Sequence, residues 1–203
     1  MSSVFKSVLV AAALVSGVPV VAQAAPLNVP AGEYGLDKTH ASLTWQINHL
    51  GLSSYTARFA TYDATINLNP AEPTKSSVSV TIDPKSVRTD FPFPEKENFD
   101  AIIADKFLQA GAHPTITFQS TGLTATGATT GKMTGNLTLL GVTRPVTMDV
   151  TLNGAMEHPF RKVPALGFSA TGTFKRSEFG SKDLQGPIGD DIKLIIEAEF
   201  LKK

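Results

Sequence analysis

The residue types that make sites crowd into one stretch, Asp37 to Gly51, which reads DKTHASLTWQINHLG. It holds two of the chain's four histidines, with an aspartate close by. Histidine and carboxylate are the groups of metal centres and general-base sites. Their spacing argues against a shared ion. On an unbroken strand His40 and His49 have opposite parity and lie about 30 Å apart at roughly 3.3 Å per residue. Two ligands of one zinc ion must each approach it to about 2 Å. Only a break, for which Ala41 or Ser42 is suited, would change this, so no metal is expected here. His40 is expected to hydrogen-bond Asp37 at the strand's start. His49 is expected at a rim, bonded to backbone or touching the polar head of a ligand at a cavity mouth.

Other fragments lack parts that their chemistry needs. Gly127 to Lys132, GATTGK, is one residue short of a phosphate-binding loop, and Met133 stands where its Ser or Thr belongs. Gly167 to Thr171 lacks the second glycine of a nucleophile elbow. Ser3 to Lys6 matches S-x-x-K but falls in the apparent leader. His113 and His158 each precede a proline and read as loop residues. Arg144 reads as a solvated turn residue or a partner of an acid such as Asp149. Asp190 and Asp191 read as a strand entry with too few oxygens for calcium. With no cysteine, thiol catalysis and thiolate-bound zinc are excluded. No catalytic residue, no metal and no cofactor is expected, so an enzyme is not.

These residues must be carried on strands. Leu43, Trp45 and Ile47 alternate with polar residues, as do Ala60, Tyr62, Ala64, Ile66 and Leu68, and then Val78, Val80 and Ile82. The pattern returns at Ile116 and Phe118; at Met133, Leu137 and Leu139; at Val146, Met148, Val150 and Leu152; at Leu166, Phe168, Ala170 and Phe174; and from Ile192 to Phe200. Period two with one polar face predicts antiparallel strands. Asn69-Pro70, Gly127 to Gly131, Gly141 to Pro145 and Gly186 to Gly189 carry turn chemistry. Pro94 to Ala110 breaks the period: Phe99, Ile102, Ile103, Phe107 and Leu108 approximate helical spacing, predicting one helix or two short ones. Periodicity alone leaves a sandwich and an up-and-down barrel open.

The N-terminus carries Lys6, an apolar run from Val8 to Ala22, and small residues at Ala22 and Ala24. This predicts a cleaved signal peptide over residues 1–24 and a single mature domain over residues 25–203. Gly17 and Pro19 interrupt the run, which is short for a membrane span, so no integral membrane segment is expected after processing. Equal numbers of basic and acidic residues, 18 each, argue against nucleic acid as a partner.

Several stretches in order resemble the YceI-like family: YGLDKTHASLTWQINHLGLS (residues 34–53), HPTITFQS (113–120), GNLTLLGVTRPVTMDVTLNGA (135–155), GFSATGTFKRSEFG (167–180) and IGDDIKLIIEAEF (188–200). Asp37 with His40, Trp45 with His49, Arg144 with Pro145, Arg176 with Phe179 and Gly180, and Gly189 with Asp190 match its motifs. Glu178 departs from the usual aspartate, and the Pro94–Ala110 segment reads longer and more apolar than is common there. The resemblance implies a mainly β fold, an extended eight-stranded antiparallel lipocalin-like barrel with a short helical insertion. It further implies a periplasmic protein that holds a polyisoprenoid or isoprenoid-quinone-type lipid inside the barrel, as a carrier or by sequestration, and it leaves room for a homodimer. An envelope stress protein acting through protein contacts, or a lipid-processing enzyme, are the alternatives.

Ligand contacts are then expected from the inward set Trp45, Ile47, Tyr62, Ile66, Phe118, Leu137, Met148, Phe168, Phe174 and Ile196, with His49 as a polar contact. Small inward residues, Ala60, Ala64, Gly135, Ala170 and Gly172, could leave room for an apolar chain.

Overall fold

The computed structural model describes residues 22–203. The leader expected over residues 1–24 lies outside them except for its last three residues. Ten β-segments follow in chain order: β1 (Gly32–His49), β2 (Ser53–Phe59), β3 (Tyr62–Leu68), β4 (Ser77–Ile82), β5 (Val87–Arg88), β6 (Ile116–Ala125), β7 (Thr130–Leu139), β8 (Val142–Glu157), β9 (Pro164–Lys175) and β10 (Ile188–Lys202). Each pairs antiparallel with its neighbour, and β10 returns to β1 from Tyr34↔Lys202 to His49↔Ile188. β2 and β3 act as one bent strand, both pairing with β1. The result is a closed antiparallel barrel of eight staves, with the two-residue β5 outside the count. Closure removes the unpaired edges that an open sheet would leave. Among the described residues no helix is long and apolar enough to cross a membrane.

The bend corrects one expectation. The alternation placed Ala60 on the inner face, but Ala60 is exposed. Its N–H donates to the Ser86 carbonyl at 3.0 Å, and the Thr61 N–H donates to Ser86 Oγ at 2.9 Å. These bonds pull two residues out of the ladder and reset its parity. Ala57 and Phe59 are buried before the bend, and Ala64, Ile66 and Leu68 after it. A second irregularity, between Leu36 and Ala41 of β1, moves the inward face from Tyr34 and Leu36 to the odd-numbered Leu43, Trp45 and Ile47, and Asp37 is buried within it.

The helical insertion starts later than Pro94, which lies in a turn. Helix α1 (Phe99–Ile102) is capped by Asn98, whose side chain accepts from the Ala101 N–H at 3.0 Å. A π-helical turn, Ile103–Phe107, continues it. Thr89 fixes the helix to the barrel, donating both its N–H and its hydroxyl to Asp100 Oδ1, at 2.7 and 2.6 Å. Ala104 is the buried residue of that π-helical turn.

The ends of the barrel differ. At the upper end lie the insertion, the β1–β2 and β7–β8 turns and the β9–β10 loop. At the lower end lie the β3–β4, β6–β7 and β8–β9 connections and the chain from Ala22 to Ala31. Leu140 and Gly141, both with positive φ (52° and 73°), form the two-residue β7–β8 turn, a geometry that matches strand twist. The core divides accordingly. One cluster, around Trp45, Phe59, Phe118 and Leu137, packs in the upper half; the other, around Tyr34, Ile66, Leu166 and Phe200, packs in the lower. Each large apolar side chain buried this way contributes about 1.5–3 kcal/mol.

Candidate functional site

Two apolar chambers lie inside the barrel. The upper, of about 390 Å³, sits between the walls and the helical insertion; the lower occupies about 190 Å³. The upper volume falls within the range of small-molecule sites. Of the residues expected to face inward, Trp45, Ile47, His49, Leu137 and Phe174 line the upper chamber. Tyr62, Ile66 and Phe168 line the lower. Phe118, Met148 and Ile196 line both. The insertion supplies Phe99, Ile103, Phe107 and Leu108 as the roof of the upper chamber.

Sequence reading missed Tyr55 and Phe59, which also line the upper chamber. Their signal was present, since Tyr55, Ala57 and Phe59 alternate with Thr56 and Arg58. The run is short and ends at the bend, where the alternation changes phase. Tyr55 continues a run of rings inward and outward: Trp45 to Tyr55 at 6.5 Å, Tyr55 to Phe99 at 6.1 Å, Phe99 to Phe91 at 5.4 Å and Phe91 to Phe93 at 6.0 Å. Phe93 is exposed, as are Leu50, Leu52 and Leu184 at the same end.

His49 is exposed at the end of β1 and lines the mouth of the upper chamber. Arg176, almost fully buried there, is engaged by backbone. Nε donates to Gly189 O at 2.8 Å, Nη1 to Asp183 O at 2.8 Å, and Nη2 to Ile188 O at 3.2 Å. The side chain thus pins the β9–β10 loop from within. Asp190 secures the other side by accepting from the Ser177 hydroxyl at 2.7 Å and the Ser177 N–H at 2.9 Å. The Ser177 hydroxyl bond, opposed by burial and helped by the Ser177 N–H, holds the Asp190 carboxyl below its ordinary value. Gly180, with φ of 87°, closes the 3₁₀ turn Arg176–Phe179, and Phe179 packs edge-on against Phe174 at 5.2 Å. The motif Arg176, Phe179, Gly180, Gly189 and Asp190 is therefore a corner that shapes the mouth.

Asp37 and His40 form a different device at the lower end. His40 Nδ1 lies 2.9 Å from Asp37 Oδ2, and Thr39 donates its hydroxyl to Asp37 Oδ1 at 2.6 Å. Arg161, from the β8–β9 loop, brings Nη2 to 3.0 Å from Asp37 Oδ2. Burial opposes ionisation of Asp37, but the bonds from His40 and Thr39 and the charge of Arg161 outweigh it and hold the carboxyl well below the usual range. Glu199 completes a group of possible metal ligands with Asp37 and His40. Its Oε2 is 4.0 Å from His40 Nδ1, and the guanidinium already supplies positive charge to the buried carboxylate. The irregularity in β1 does not bring His40 to His49, which stands at the opposite end of the barrel.

Two remaining expectations shift. Arg144 lies within β8, opposite Leu137, rather than in a turn. Asp149 pairs with Lys132 at 2.6 Å and not with Arg144. Their strands carry both on the outer face, where Lys132 is the register partner of Asp149.

Comparison with known proteins places this architecture. Residues 34–200 match the sequence profile of the YceI-like domain. A UPF0312 protein of Pectobacterium atrosepticum is 37% identical over 175 residues, covering 85% of this chain and 88% of its own. One of Pseudomonas paraeruginosa is 35% identical over the same shares of both chains. Among solved structures, the Campylobacter jejuni YceI protein is 31% identical with a TM-score of 0.62, covering 77% of this chain and 90% of its own. Burkholderia cenocepacia BcnA shares the fold at 20% identity, with a TM-score of 0.69 over 81% and 98% of the two chains. So does a domain from Saccharophagus degradans described as polyisoprenoid binding, at 12% identity and a TM-score of 0.58 over 86% and 100%.

Proposed function

The chain belongs to the YceI-like domain family, and from that premise we propose that it is an exported binding protein holding a polyisoprenoid or isoprenoid-quinone-type lipid inside its barrel. The observation that carries the reading is the pair of chambers, walled almost wholly by aliphatic and aromatic side chains. The description of the Saccharophagus degradans domain as polyisoprenoid binding supports the same class of ligand. The apolar run and small residues before Ala25 support export to the periplasm.

The energetics suit such a ligand. Burying one five-carbon isoprene unit contributes roughly 3–4 kcal/mol at about 0.8 kcal/mol per methylene. Association costs on the order of 4–15 kcal/mol, and micromolar affinity needs about −8 kcal/mol. Several buried units reach that figure without a charged anchor. His49 stands where the polar head of a lipid would leave the mouth. Arg176 is occupied by carbonyl groups, and the reading is of binding rather than turnover, a role of carriage or sequestration.

Trp45 is the chain's single tryptophan and faces the upper chamber, so its emission reports on cargo there. Titration with ubiquinone in detergent is expected to quench it saturably. At a ligand concentration of about 100 Kd, binding adds about 2.7 kcal/mol, which raises Tm by roughly 5–10 °C. Unquenched emission together with an unchanged Tm would sink the reading.

A further inference from the structure

The two chambers adjoin. Leu43, Val80, Phe118, Met148 and Ile196 line both, and so form a waist between them. These residues come from β1, β4, β6, β8 and β10, and the waist therefore rings much of the barrel. Two of its members, Phe118 and Met148, lie across glycines. A Cβ on Gly135 would fall 2.6 Å from Phe118 Cε2 and closer still to Cζ, and 2.6 Å from the Gln119 carbonyl oxygen. A Cβ on Gly172 would fall 2.8 Å from Met148 Cγ and 3.2 Å from the Thr147 carbonyl oxygen. Gly172 is the register partner of Met148, and Gly135 lies on β7 beside Phe118 of β6. Each of these side chains thus lies against a bare patch of wall. With a methyl group at either patch, packing at native density would force the ring or the thioether away from the wall, and the lumen is the direction left open.

We infer that Gly135 and Gly172 hold the waist open, making the lower chamber a subsite for the far end of a long apolar tail. This rests on the lipid-binding reading above and deepens it. Head and first units occupy the upper chamber beneath the insertion. The tail crosses between Phe118 and Met148 and ends among Tyr62, Ile66 and Phe168. Chain length is then read at the waist: a short tail gains nothing from the lower chamber, whereas a long one gains the apolar surface it buries there.

The test is an affinity series with geraniol, farnesol, geranylgeraniol and solanesol, read by Trp45 emission and native mass spectrometry. Wild type is expected to bind more tightly as tails lengthen past the waist. Gly135→Ala is expected to bind geraniol like wild type and to lose about tenfold or more on the longest tail that wild type takes. Val80→Phe narrows the same passage from β4, where Val80 pairs with Phe118, and carries the test should Gly135→Ala fail to fold. Circular dichroism checks the fold of both. If both folded variants follow the wild-type length dependence, the waist is overturned while lipid binding stands. If wild type itself binds no member of the series, the lipid-binding reading falls first and the waist with it.

Discussion

The Arg161 guanidinium lies 3.0 Å from the buried carboxylate of Asp37, tying the β8–β9 loop to the first strand at the lower end of the barrel. Arg161 also donates to Thr39 Oγ1 at 3.2 Å, so two residues of β1 share one clamp. The Asp37 side chain is 3% exposed, and those of His40 and Arg161 are 54% and 44% exposed. The clamp is thus an acid buried under partners that stay in water.

That asymmetry predicts a pH signature. Because the folded-state value of Asp37 is depressed, its contribution is complete above the unfolded carboxylate value near 4 and is lost as pH falls through the lower folded value. Solvent screening of the exposed partners limits it to about 1–2 kcal/mol. Asp37→Asn is expected to lower the urea midpoint by that equivalent at pH 7 and by less at pH 3. An equal gap at both pH values would refute the ionic account.

Arg176→Met should loosen the mouth. The substitution keeps the apolar stem but leaves the carbonyls of Gly189, Asp183 and Ile188 without their donor. A cost of about 2–4 kcal/mol follows, with the β9–β10 loop suffering most. Limited proteolysis should cut first within residues 181–187. Cleavage elsewhere, or a wild-type cleavage rate, would count against the pin.

Two turn glycines separate backbone strain from crowding. Gly51 and Gly141 have nearly equal positive φ, 72° and 73°. A Cβ on Gly51 would meet nothing within 4 Å, whereas one on Gly141 would fall 2.8 Å from His113 Cε1. Gly51→Ala should cost about 1–2 kcal/mol from backbone alone. Gly141→Ala should cost more, because His113 must also move. Equal losses in thermal unfolding would show that the ring yields freely.

Much of the barrel was legible in the chain because strand alternation is local. Trp45, Ile47, Phe118, Met148 and Ile196 each declare a face through their immediate neighbours, and the structure turns those faces to the lumen. The Asp37–His40 bond was legible for the same reason, being three residues long. Ala60 was not, since the bend that turns it outward depends on Ser86, a residue on another segment. Nor did the start of α1 show: Pro94 can open a helix, but Asn98 caps it and Thr89 holds it.

Sequence by itself determined the kind of surface each strand offers, because side-chain parity is a property of neighbouring residues. It determined the motif residues too, yet not their task. Only the tertiary structure decided that Arg176 grips the β9–β10 loop, that Arg161 reaches Asp37, and that Phe118 lies over Gly135. These are contacts between segments distant in the chain, and their geometry exists only once β10 has closed on β1. The inner volume is decided there as well. The same inward residues would fill a solid core or leave two chambers, depending on how far apart closure sets the walls.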